Sequence, residues 1–175
     1  MKDIFSKLKG HTAGKVAVFI DAANILYSQQ SMGWQVDYKK LSKFLKRNFD
    51  VIFIGFYLGV LKKSKGQKMF LEILRDHDYT VRSKPVKYIH TDEGRILKGN
   101  LDIELAVDVL TKIDDFDTCF LFSGDSDFEV IVKMIRNKGK RCIVFSTRNH
   151  ISRELARTSN KYFDLRRFKD HFSRE

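Results

Sequence analysis

At 175 residues the chain is long enough for one domain with a sizeable core and short for two. With 43% hydrophobic and 31% charged residues, 1 Pro and 10 Gly, it is neither a disordered nor a collagen-like polymer. Its 33 Lys and Arg against 22 Asp and Glu leave a net charge of +11, a field suited to a polyanionic partner.

Apolar runs and helical patterns alternate from end to end. KVAVFID (15–21) is a β-branched run of the kind that forms a strand buried on both faces. VDYKKLSKFLKRNF (36–49) sets Leu41, Phe44, Leu45 and Phe49 at helical spacing, and VIFIGFYLG (51–59) reads as a second buried strand. QKMFLEILRDH (67–77) is helical, with a weaker strand at 79–83. The segment KPVKYIHTDEGRILKGN (84–100) breaks the rhythm. Pro85 and the turn signal Asp92-Glu93-Gly94 predict a basic hairpin or flap there. LDIELAVDVLTKI (101–113) is a helix, TCFLFS (118–123) a strand, and FEVIVKMIRNKG (128–139) a helix stopped by Gly139. RCIVFS (141–146) is a further strand, followed by the helical SRELARTSN (152–160). This alternation predicts an α/β fold in three layers, α-β-α, around a mainly parallel central sheet.

Cys119 and Cys142 lie inside the runs DTCFLF and KRCIVF, where buried reduced thiols fit better than a disulfide framework or a zinc site. The N-terminal MKDIFSKLKG has no continuous apolar stretch of signal-peptide type, and the longest apolar run, 51–61, is too short to span a bilayer. A soluble cytoplasmic protein is expected.

The acidic residues carry the chemistry. Asp21 ends the first strand, and Ser123-Gly124-Asp125-Ser126-Asp127 follows the 118–123 strand. Helix capping accounts for one carboxylate at each place. It does not account for two acids one residue apart, which repel each other. Stepping roughly 100° per residue, Asp102 shares a face with Leu105, Ala106, Val109 and Ile113, so it heads the core-facing stripe. A carboxylate there is costly unless something positive meets it, although the helix N-terminus compensates in part. Asp108 falls on the flank of that helix, where a surface charge is expected. In parallel α/β sheets ligands gather outside the carboxyl ends of strands. If the first and the 118–123 strands are neighbours, Asp21, Asp102, Asp125 and Asp127 converge on one edge. Hard oxygen donors without matching His or Cys suit Mg²⁺ or Mn²⁺.

VFIDAANIL, KGNLDIELAVDVL and LFSGDSDFEVIVKMIRNKGKRCIVF resemble three successive motifs of the NYN domain family, the DUF88-type branch of the PIN-like nucleases, and SRELARTSNKYFDL resembles the end of such domains. The resemblance spans 15–165, leaving an N-terminal extension (1–14) and a basic C-terminal one (166–175). It implies a PIN-like sheet, with Asp21, Asp102, Asp125 and Asp127 as metal-binding catalytic acids. Asn24 and Ser123 would stand beside them as supporting or substrate contacts, and Asp108 also matches an acidic position of the middle motif. Where the family often has Gly after the first Asp, this chain has Ala22. A haloacid-dehalogenase phosphatase needs a second Asp where Ala23 stands, and no Gly-rich phosphate loop follows the first strand.

Basic residues cluster at 39–47, 62–68 and 138–141. Such runs are usually solvated faces, but Lys62, Lys63, Lys65 and Lys68 follow the second strand and overlook the acidic edge, as Lys98 does from the end of the flap. Trp34, Tyr57 and Tyr88 are candidates to stack on unpaired bases, although aromatics more often fill cores. The expectation is a divalent-metal-dependent endoribonuclease acting on single-stranded or structured RNA. The alternative is a non-catalytic RNA-binding or regulatory module that keeps the fold. DNA as substrate and a homodimer as assembly are left open.

Overall fold

The structure, a computed structural model, describes residues 3–61, 64–91 and 94–174, and of 87–91 and 94–98 the backbone alone. Lys62, Lys63 and the Asp92-Glu93 turn therefore lie outside the described residues, as do the side chains of Tyr88 and Lys98. In chain order the elements are α1 (Ile4–His11), β1 (Lys15–Asp21), α2 (Ala22–Met32), α3 (Tyr38–Asn48), β2 (Asp50–Val60), α4 (Lys65–Arg75) and β3 (Thr80–Pro85). The hairpin β4 (Lys87–Thr91) and β5 (Gly94–Lys98) follows. Then come α5 (Asp102–Lys112), β6 (Thr118–Phe122), α6 (Glu129–Asn137), β7 (Arg141–Ser146), α7 (Arg153–Thr158), β8 (Lys161–Asp164) and α8 (Lys169–Phe172).

Six strands form one sheet in the order β3-β2-β1-β6-β7-β8, every neighbouring pair parallel. The central strands β1 and β6 are apolar at almost every position because helices cover both of their faces. Alternate residues of β1 enter separate cores. Val16, Val18 and Ile20 pack with Ile25 of α2, Leu41 and Leu45 of α3, and Leu71 and Leu74 of α4. Ala17 and Phe19 face the other way, onto Leu105 and Val109 of α5, Ile131, Val132 and Ile135 of α6, and Leu155 of α7. The layering is α-β-α and the fold is α/β, with a sheet that is parallel throughout.

The chain ends belong to the first core. Ile4 and Leu8 of α1 and Phe168 and Phe172 near the C-terminus are buried in it. Phe44 of α3 meets the rings of both Phe5 and Phe172. Burying side chains of this size is worth about 1.5–3 kcal/mol each. Cys119 and Cys142 are buried free thiols, paired in register across β6 and β7. The expected flap is an antiparallel hairpin, from Lys87 opposite Lys98 to Thr91 opposite Gly94. Among the described residues no helix is long and apolar enough to cross a membrane.

The strand order reverses between β1 and β6, the first strands of the two halves of the sheet. This is the place where doubly wound folds open a crevice at the carboxyl edge.

Candidate metal centre

Asp21 is the last residue of β1, and its position after five buried residues leaves it in the protein with only 9% of its surface exposed. One carboxylate oxygen caps α2, accepting from the backbone N–H of Asn24 at 3.2 Å. The other accepts from the hydroxyl of Ser123 at 2.9 Å. Asn24 reaches across in turn, its side-chain oxygen taking the N–H of Gly124 at 2.9 Å. Ser123 Oγ accepts from the N–H of Asp125 at 3.2 Å, and Asp125 accepts from that of Asp127 at 3.0 Å, capping the 3-10 turn Ser126–Phe128. Capping and clustering are thus the same arrangement: each acid that ends a strand is oriented by the turn that it caps. Gly124 has no alternative, since a Cβ there would lie 2.0 Å from the carbonyl oxygen of His150 and 2.6 Å from Ser146 Oγ.

Asp102 arrives from the opposite core as the first residue of α5, half-buried above Leu105 and Val109. The amide of Asn100 donates to its Oδ2 at 2.6 Å. Carboxylate oxygens of Asp102, Asp125 and Asp127 all lie within 4.8 Å of one another. Asp21 is not one of these three: it is buried, fixed by Ser123 and the backbone of Asn24, and near enough for its charge to act on Asp102. Burial pushes the Asp102 carboxyl up from 3.8 to about 6, and the negative charges of Asp21, Asp125 and Asp127 push the same way, against the bond from Asn100. Asp21 is also raised above the ordinary carboxylate range, chiefly by burial and further by Asp125, while its donors Asn24, Ser123 and Ala23 oppose the shift.

Among the described residues no Lys or Arg forms an ion pair with any of these four acids. A crowd of carboxylates without a counter-charge could hold a divalent metal ion. The NYN domain family model matches residues 15–166.

The chain belongs to the NYN domain family. It is 33% identical over 156 residues to the low amplitude and bright protein LabA of Synechococcus elongatus, an alignment covering 86% of this chain and 83% of that one. A crystal structure of a Vibrio parahaemolyticus protein of unknown function superposes with a TM-score of 0.76 over 99% of this chain and 100% of that chain. At 23% identity that likeness speaks for the fold. NYN domains have a nuclease-like fold and in general bind RNA.

Two expectations about this NYN domain need correction. Asp108 is not a surface charge. It is 8% exposed, and its oxygens accept from Tyr57 Oη at 2.8 Å, from Arg82 Nε at 3.1 Å and from Arg82 Nη2 at 3.2 Å. It lies six residues, about 9 Å of helix rise, beyond Asp102. These three hydrogen bonds brace α5 against β2 and β3. Tyr57 is not a stacking platform either: it is 3% exposed, packed in the second core, and its hydroxyl is pushed far up by burial and by Asp108. Trp34 is half-buried against Phe172. Lys65 and Lys68 are exposed at the start of α4, just past the carboxyl end of β2.

Residues that the sequence patterns did not single out also reach this edge. Asn100 binds Asp102 directly. Leu26 and Tyr27 stand exposed on α2, beside a cleft of about 540 Å³. Helical periodicity is weak in this segment, so its outer face carried no signal.

Proposed function

We propose that this NYN domain is a divalent-metal-dependent ribonuclease that hydrolyses phosphodiester bonds in single-stranded or structured RNA, with water as the attacking group. The observation that carries the reading is the meeting of Asp102, Asp125 and Asp127 oxygens within 4.8 Å, on a chain whose net charge is +11. A basic protein that keeps an uncompensated acidic cluster at its sheet edge is equipped to hold a cation there and a polyanion around it.

In this reading Asp102, Asp125 and Asp127, with Asp21 near them, hold Mg²⁺ or Mn²⁺. Such an ion, when bound, polarises a phosphoryl oxygen and lowers the pKa of bound water. The chain's own residues position everything else. Ser123 and Asn24 lock Asp21 and join the ends of β1 and β6. Asn100 orients Asp102. Lys65 and Lys68, with Lys62, Lys63 and Lys98, take the flanking phosphates. No side chain needs to act as nucleophile.

The test is direct: labelled single-stranded RNA and DNA are incubated with the protein in Mn²⁺, Mg²⁺ or EDTA. RNA cut internally in either metal and intact in EDTA is the expected result. RNA that is bound yet uncut under every metal condition would replace the enzyme with a non-catalytic RNA-binding module on the same fold.

A further inference from the structure

We propose that the cleft beside the acidic cluster is a nucleobase subsite, which seats one unstacked base of a single-stranded RNA against Tyr27 while the adjoining phosphate lies at the aspartates. The inference deepens the ribonuclease reading and takes the identity of the polymer from it.

The cleft is built mainly on α2. Ala23, Leu26, Tyr27 and Gln30 recur at helical spacing along one face, opposite the buried Ile25 and Ser28. Tyr27 is 62% exposed and Leu26 49% exposed, so this face offers a flat ring and an aliphatic side chain to whatever occupies the cleft. Its floor is held low by two close backbone approaches. A Cβ on Gly59 would lie 2.4 Å from the carbonyl oxygen of Gly99, and one on Gly99 would lie 2.7 Å from Val86 Cγ1. The volume, about 540 Å³, is within the range of small-molecule sites.

The lining selects the ligand. Among the described residues around the cleft none is Lys, Arg, His, Asp or Glu, so none of them offers a phosphate or a carboxylate a counter-charge. Three amides do line it: Gln30, Gln67 and Asn100. Gln67 Oε1 is engaged by the N–H of Leu61 at 2.8 Å, which fixes the amide and leaves its NH₂ to donate. Among the described residues the Gln30 side chain has no hydrogen-bond partner, and it can both give and accept. An uncharged, planar group with donor and acceptor edges matches this set, and that is a nucleobase. Continuity with the metal centre comes from Asn100, which lines the cleft and also binds Asp102 at 2.6 Å. Ala23 lies two residues after Asp21. A nucleotide whose phosphate meets the aspartates therefore has its base within reach of Tyr27.

The experiment isolates the base from the charge. Affinities are measured with Ca²⁺ in place of Mg²⁺, for a short RNA strand that is abasic throughout and for the same strand carrying a single central base. Ca²⁺ is a hard oxygen-bound cation that lets a phosphate approach the aspartates. The phosphates are identical, so the difference reports the base alone. The wild type should bind the one-base strand about ten-fold more tightly, the scale of a base stacked on an aromatic ring. Tyr27→Ala should abolish that gain, Tyr27→Phe should keep it, and neither should move the melting temperature by more than about 1–2 °C because the side chain is exposed. A wild type indifferent to the base, one that binds neither strand, or a gain that survives Tyr27→Ala would overturn the subsite. The ribonuclease reading stands or falls separately, on cleavage in Mn²⁺ or Mg²⁺. A Tyr27-dependent gain in a protein that never cuts RNA keeps the subsite and removes the enzyme.

Discussion

Ser123 donates its hydroxyl to Asp21 across 2.9 Å, both residues buried, and so ties the carboxyl end of β6 to that of β1. Ser123→Ala leaves one oxygen of Asp21 without its donor and the N–H of Asp125 without its acceptor. The cost at neutral pH should be about 1–3 kcal/mol. Asp21 is already raised in the folded state, so its ionisation lowers stability as pH rises, and the serine limits that loss. Without the serine the loss grows. Thermal melts in EDTA at about pH 4, near the ordinary carboxylate value, and at pH 8 should show the gap between variant and wild type widening with pH. A gap that narrows would contradict this account.

Asp102→Asn probes the charge crowding. The Asp102 carboxyl stands at about 6 in the fold against an ordinary 3.8. The folded state therefore binds its proton more tightly than the unfolded state. Stability due to this group is fully present below about pH 4, falls between about pH 4 and 6, and stays lost above. In EDTA the asparagine variant should thus melt higher than wild type at pH 8 and level with it at pH 4. Cleavage should drop by orders of magnitude while RNA binding persists or tightens. Full cleavage by this variant would sink the four-carboxylate mechanism.

Much of this architecture was legible because β1, β6, β7 and the Ile54–Leu58 part of β2 are buried on both faces, and such strands announce themselves as continuous apolar runs. Asp102 was legible for a related reason: a carboxylate in phase with Leu105 and Val109 has to be explained. Other features depend on partners far away in sequence. The helical phase of Asp108 puts it on the flank of α5, and only the arrival of Tyr57 from β2 and Arg82 from β3 turns that flank into interior. The strand β8 is four residues at a sheet edge, too short to show a period. The helix α2 is hard to read because Ser28, Gln29, Gln30 and Ser31 dilute its apolar stripe, and Tyr27 on its outer face belongs to no pattern. The chain ends read as extensions, the C-terminal one basic, yet Ile4, Leu8, Phe168 and Phe172 are core residues.

Metal should stabilise the fold. A ligand that binds only the native state adds RT ln(1 + [L]/Kd), about 2.7 kcal/mol at a hundred-fold excess over Kd. Mn²⁺ or Mg²⁺ should raise the melting temperature in proportion to the logarithm of concentration, and the Asp125→Asn, Asp127→Asn double variant should lose the effect. If calorimetry at millimolar metal detected no binding, with or without RNA, the site would not be a metal centre.

The basic surface should act through phosphates without regard to sequence. Replacing Lys65 and Lys68 together by Ala should weaken RNA binding alike for strands of different sequence. For single strands log affinity falls with log salt at roughly 0.7 per phosphate neutralised, so the double variant should show a slope shallower by about 1.4. Titrations between low and moderate salt measure this, and an unchanged slope would return both lysines to ordinary solvated charge.

Asp108 separates architecture from chemistry on a single helix. Asp108→Ala removes the acceptor of a buried tyrosine hydroxyl and both acceptor oxygens of the Arg82 guanidinium. Arg82 is half in solvent and recovers its hydration, so most of the cost is the stranded Tyr57 hydroxyl, about 1–3 kcal/mol. Removing both polar partners should be milder than the sum of the parts, because Tyr57→Phe leaves no hydroxyl unpaired for Asp108→Ala to strand. A double-mutant cycle by chemical denaturation should therefore show a coupling of about 0.5–3 kcal/mol between the two positions. RNA cleavage per folded molecule should stay at the wild-type level in Asp108→Ala, in contrast to Asp102→Asn. A variant that keeps its stability but loses cleavage would place Asp108 in the reacting centre and reverse the structural role assigned to it here.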